Sequence, residues 1–162
     1  MLDPKITNSF GGEGGIDEFR EPWKLNEPGT LVWKPLEQVL VLGGSFIRSG
    51  HFCAPYVFSR FPEGLDPFAH DVIVKNAAMV RAFPSADSSV VDVLSYHVVK
   101  TDRYQGSKQG PQRRVPGWVE VSTPSGKTGF VAEGDIRSPT DYRACFVKKS
   151  GTWLMDVFVT GD

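Results

Sequence analysis

Cysteine is nearly missing: Cys53 and Cys145 are the only two in 162 residues, too few for a disulfide framework and without the CxxC spacing of a metal knuckle. One bridge, as an exported chain would allow, and two buried free thiols are both open readings. Histidine is equally scarce, and His51, His70 and His97 lie far apart with no H-x-x-E-H pattern, so neither a metal nor any other cofactor is expected. An excess of charge of one sign is missing too. The net charge is −1, which argues against nucleic acid as a partner. The balance is uneven along the chain, with eight basic and twelve acidic side chains over residues 1–99 and ten and seven over 100–162. No apolar run approaches the roughly 18 residues of a membrane span. Met1 to Lys5 has no secretory apolar region, so no signal peptide is read in this chain and a soluble protein is expected. The abrupt start at Leu2-Asp3-Pro4 fits a chain from which an export signal has been removed.

What the chain has is turn-formers and aromatics. Seventeen glycines, twelve prolines and eleven phenylalanines favour short strands and many turns, and a hydrophobic share of 40% is ordinary for a packed core. The fold class expected is mainly β, α+β overall. The clearest stretch is Gly117 to Ile136, GWVEVSTPSGKTGFVAEGDI. Trp118, Val119 and Val121 alternate loosely with Glu120 and Ser122, and Phe130 and Val131 follow across Pro124-Ser125-Gly126-Lys127. This predicts an antiparallel hairpin in which Gly126 takes a positive φ.

The leading segment, residues 1–70, is predicted to be helical and aromatic. Ser9 to Gly15 is glycine-rich, but no strong strand precedes it, no Lys-Ser/Thr pair closes it, and Glu13 would repel phosphate. Ile16, Phe19 and Trp23 share one side of a short helix, and Thr30 is placed to cap a second one bearing Val32, Leu36, Val39 and Leu40. Pro35 fits only in its first turn, and Gly43-Gly44 ends it. Tyr56 to Arg60 alternates as a strand would. Cys53 two residues from His51 suggests a thiol nucleophile and its base, but no third group to orient the imidazole is evident in the sequence.

After the turn-rich Glu63 to Pro67, strands are predicted at Val72–Val74, Met79–Ala82, Val90–Leu94 and Val98–Lys100, with a turn at Asn76-Ala77. Thr101 to Pro116 is a polar loop in which Arg103, Lys108, Arg113 and Arg114 accompany Tyr104 against one acid, Asp102. Such charges are either a solvated loop or a surface for an anionic polymer. Asp135 is read as the cap of a short helical turn. Beyond Pro139, a second hairpin around Lys149-Ser150-Gly151-Thr152 carries Ala144, Phe146, Trp153, Met155, Val157 and Val159. Two isolated strands cannot hide that surface, so the hairpin at 139–162 is expected to pack on the N-terminal segment.

The order VRAFPSADSSVVDVLSY followed by GWVEVSTPSGKTGFVAEGDIRSP resembles the bacterial SH3-like (SH3b) domain family over roughly residues 72 to 138. YVFSRFP before it, and YRACFVKKSGTW with FVTGD after it, are also similar to uncharacterised bacterial SH3-domain proteins. The resemblance implies an SH3-like small barrel at 71–138 and residence in the periplasm or cell envelope. It further implies a non-catalytic binding module for cell-wall peptide or glycan, not an enzyme. A protein partner without small ligand is the alternative, and a cell-wall hydrolase using Cys53 the third reading. Carried onto this chain, the implied ligand-binding residues are Tyr96, Tyr104, Trp118 and Phe130, to which the basic loop adds Arg113 and Arg114. Trp118 and Phe130 also fall where such barrels place core residues, which leaves each with two readings.

Overall fold

The computed structural model describes residues 1–9, 14–101 and 115–161. Tyr104, Arg113, Arg114 and the rest of the basic loop lie outside these. Along the chain run β1 (Leu2–Thr7), α1 (Ile16–Trp23), α2 (Trp33–Leu40), β2 (Ser45–Arg48), β3 (His51–Ala54) and α3 (Tyr56–Ser59). Next come β4 (His70–Ile73), β5 (Ala78–Arg81), β6 (Val90–Leu94), β7 (Val98–Lys100), β8 (Trp118–Ser122) and β9 (Thr128–Ala132). A 3-10 turn (Glu133–Asp135), β10 (Ile136–Arg137), β11 (Arg143–Lys149) and β12 (Thr152–Val159) complete the order. The described chain is thus mainly β, with two sheets and three short α-helices, and it separates into two compact units, Met1–Phe61 with Thr140–Asp162, and Pro62–Pro139.

In the first unit the sheet order is β1-β12-β11-β3-β2. The C-terminal hairpin supplies its middle: β11 pairs with β12 on one side and β3 on the other, and β1 adds to β12 in parallel. Its apolar residues are covered by α1 and α2, and Ile6, Phe19, Val39, Ala144, Met155 and Phe158 belong to one core. Phe158 collects the aromatics, stacking on Tyr142 at 5.3 Å and meeting Trp23 at 5.2 Å. Pro35 lies in the first turn of α2, where a missing N–H costs nothing.

Several expectations for this unit need correction. A strand, β1, does precede the glycine-rich stretch; Asp3 and Pro4 hide it from a reading of alternation, and Pro4 is tolerated because β1 is a sheet edge. Tyr56 to Ser59 is one helical turn, not a strand, because the Phe58 and Ser59 amides both donate to the Pro55 carbonyl at 3.0 Å. Thr30 does not cap α2; its hydroxyl donates to the Trp23 carbonyl at 2.6 Å, and Val32 stands at the N-cap without a side-chain bond.

The second unit is one sheet in the order β10-β4-β7-β8-β9-β5-β6. It is open, with β10 and β6 as its edges, where a closed small barrel is the expectation. Alternation along the strands sends Val119, Val121 and Val131 inward with Ile73, Ala78, Val80, Leu94, Val99 and Ile136. Gly126 takes φ 82° in the β8–β9 turn, as its position requires. Gly129 is needed for a different reason, since a Cβ there would stand 2.7 Å from the Arg81 carbonyl oxygen and from Val80 Cγ1. Asp135 does not cap the 3-10 turn: Ala132 precedes that turn, and the Asp135 carboxylate pairs with Lys75 Nζ at 3.0 Å.

Candidate functional site

The period of two along β8 and β9 decides which side chains the sheet offers outward. With Val119 and Val121 buried, Trp118, Glu120 and Ser122 face the other way; with Val131 buried, so do Thr128, Phe130 and Ala132. Trp118 and Phe130 are half-buried and take no part in the unit's core. Between their two readings, the geometry puts both on the outer face.

Register then assembles the surface. Glu120 is opposite Phe130, Phe130 is opposite Arg81 on β5, and Arg81 is opposite Val90 on β6, so these four form one row across four strands. Two residues along, Trp118 pairs with Ala132 and Met79 with Val93. Met79, Val90 and Val93 are exposed large apolar side chains, 49%, 45% and 54% accessible. Arg81 is held in place, its guanidinium donating to the Ser88 carbonyl at 2.6 Å and lying 3.2 Å from Met79 Sδ. At the other end of the row, Lys100, Thr101, Glu120, Ser122 and Thr128 line an open depression of about 100 Å³. That volume falls well short of the roughly 300 Å³ of a small-molecule pocket, so the surface suits one face of an extended ligand rather than an engulfed molecule.

Tyr96 is elsewhere: it occupies the β6–β7 turn with φ 55° and is 59% exposed, outside the paired strands. Of the six residues assigned from sequence, Tyr104, Arg113 and Arg114 lie outside the described residues; of the other three, Tyr96 does not share this face, and Trp118 and Phe130 do. Arg81, Met79, Glu120 and Lys100 join them, and sequence reasoning did not select these. The outward alternation of WVEVS was the available signal for Glu120, and with that of TGFVA it pointed away from a core role for Trp118 and Phe130.

Cys53 and Cys145 stand directly opposite each other on β3 and β11 and are disulfide-bonded, with Cα atoms 4.1 Å apart. Cys53 therefore has no free thiolate and is fully buried. The orienting group missing from the sequence does exist: Asp156 Oδ2 lies 3.1 Å from His51 Nε2. Arg48 Nε donates to His51 Nδ1 at 3.2 Å.

Compared with known protein families, curated proteins and solved structures, the chain has no match.

Proposed function

We propose that the second unit is a non-catalytic, SH3-like binding module of the bacterial cell envelope whose outer sheet face takes cell-wall peptide or glycan. The observation that carries this reading is the outward row of Glu120, Phe130 and Arg81 beside Trp118. Aromatic faces next to a fixed guanidinium and a carboxylate suit a ligand with both apolar ring faces and charged peptide groups. The Cys53–Cys145 bridge supports an oxidising compartment. No helix is long and apolar enough to cross a membrane among the described residues.

Retention on purified sacculi tests the reading. Wild type is expected to be retained, and Trp118→Ala with Phe130→Ala to lose about tenfold or more, given roughly 0.5–1.5 kcal/mol per aromatic contact. Because neither ring is in the core, both variants are expected to fold. Equal retention of wild type and variant would overturn the site. The exposed Met79, Val90 and Val93 favour a second reading, a partner protein docked on the same face. That reading gains if sacculi retain neither protein.

A further inference from the structure

The strand register of the first unit collects four chemistry-bearing side chains that the sequence scatters. His51 and Cys53 share a face of β3 because they are two residues apart, and Cys145 is directly opposite Cys53 on β11. One ring nitrogen of His51 and both sulfurs lie within 4.8 Å of one another. The register of β12 against β11 shifts where Cys145 pairs with Val157 and Phe146 with Met155, which leaves Asp156 as the extra residue of a bulge. A bulge re-aims a side chain, and here the Asp156 carboxylate meets the His51 ring. Asp156 Oδ1 and His51 Nε2 are both buried and neither has an aligned hydrogen-bond partner among the described residues. Two unsatisfied polar atoms in one buried contact are costly unless they serve another state of the site.

We propose that this cluster is a redox-gated metal site: reduction of the Cys53–Cys145 disulfide creates a Cys2His set for a borderline-soft divalent cation such as Zn²⁺. A dithiol reductant supplies two electrons and two protons, cleaving the S–S bond to two thiols while its own sulfurs join as a disulfide. The cation then displaces both thiol protons, which leave to solvent, and binds two thiolates and a neutral imidazole. In tetrahedral coordination with bonds of about 2.1–2.3 Å, ligand atoms sit about 3.6–3.8 Å apart. One imidazole nitrogen is already within 4.8 Å of both sulfurs, which are bonded to each other, so the principal movement is separation of the sulfurs. Asp156 holds the imidazole as carboxylates hold metal-bound histidines elsewhere. Two thiolates neutralise the cation, so its binding adds no net charge to the sheet. Arg48 lies on the edge strand β2 and is exposed, so it can swing away and open the approach for the metal.

The test uses the full chain, reduced with a water-soluble phosphine, which takes up the oxygen of water as the phosphine oxide while the two thiols form, then freed of reductant under argon. Co²⁺ alone is the probe. Reduced wild type is expected to bind one equivalent with the thiolate charge-transfer and intense ligand-field bands of tetrahedral cobalt, and Zn²⁺ to displace it. His51→Ala is expected to bind at least ~100-fold more weakly, and Asp156→Asn about 10–100-fold more weakly. The oxidised chain is expected to show no bands. Far-UV circular dichroism of the reduced chain with and without Zn²⁺ follows the fold, and a Zn²⁺-dependent rise in Tm that His51→Ala abolishes supports the site even if reduction loosens the sheet. Absence of tetrahedral bands and of a Zn²⁺-dependent Tm rise in reduced wild type overturns the proposal, as does a His51→Ala variant that binds like wild type.

Discussion

Asp3 shows how much a single side chain can hold. It is 1% exposed, its Oδ1 accepts the Lys5 amide at 2.9 Å, and its Oδ2 is paired with Lys149, 146 residues away. The Lys149 hydrogen bond first, then the Lys5 amide, holds its pKa below the ordinary 3.8. A carboxyl with a lowered folded-state pKa contributes stability that is present above the ordinary value and disappears as pH falls through the folded one. Asp3→Asn is therefore expected to cost about 1 kcal/mol at pH 7, since Lys149 is half exposed. The gap to wild type should close below about pH 4, and urea midpoints at pH 7 and pH 3 measure it. A gap that widens on acidification would contradict the assignment. Asp92 does the matching work in the other unit, where its carboxylate accepts Ser125 Oγ at 2.8 Å and the Val93 amide at 2.9 Å, so its pKa is also lowered. Asp92→Asn is expected to free the β8–β9 turn, read as faster hydrogen exchange at Gly126 and Lys127 at neutral pH, with the difference fading in acid. None of these pairings could be read from sequence, because a charge does not name its partner across 146 residues.

At the scale of elements, strands with clean alternation were legible and the irregular ones were not. Val119 and Val121 against Glu120 and Ser122 assign β8 its inner and outer faces from residue order alone, and the Pro124–Lys127 turn sets the hairpin. The same pattern fails at β1, where a buried Asp3 and a Pro4 break the apolar period. It misleads at Tyr56 to Ser59, where alternating aromatics form one helical turn behind Pro55. The helices α1 and α2 were legible because Ile16, Phe19 and Trp23, and Val32, Leu36 and Val39, recur at helical spacing. Trp118 and Phe130 of the candidate face were legible as well, since they belong to the hairpin; Arg81 and Met79 depend on β5 lying beside β9, which local pattern does not state. Gly129 is what allows that approach. Gly129→Ala is expected to destabilise the unit by about 1–3 kcal/mol by forcing β5 away. A chemical-denaturation midpoint unchanged from wild type would contradict it.

For the whole molecule, the chain leaves the first unit after Phe61 and returns to it at Thr140. The returning hairpin is the middle of that unit's sheet, so removing residues 140–162 is expected to unfold Met1–Phe61. Pro62–Pro139 has its own buried cluster, nine residues among those described, and is expected to keep a cooperative melting transition in the truncated chain. Loss of that transition would contradict the independence of its core. The disulfide closes a loop with a sequence separation of 92, and replacing both cysteines by serine is expected to cost about 2–4 kcal/mol. The two cysteines illustrate the limit of the sequence: their spacing left a bridge and free thiols equally open, and only the pairing of β3 with β11 brings them face to face. Binding is proposed for the outer face of the sheet in Pro62–Pro139. Titrating a soluble cell-wall muropeptide into the ¹⁵N-labelled full chain and following amide shifts tests it most directly. Saturable shifts clustered at Arg81, Trp118, Glu120 and Phe130 are expected; no shifts, or shifts confined to other surfaces, would contradict a binding role for this face.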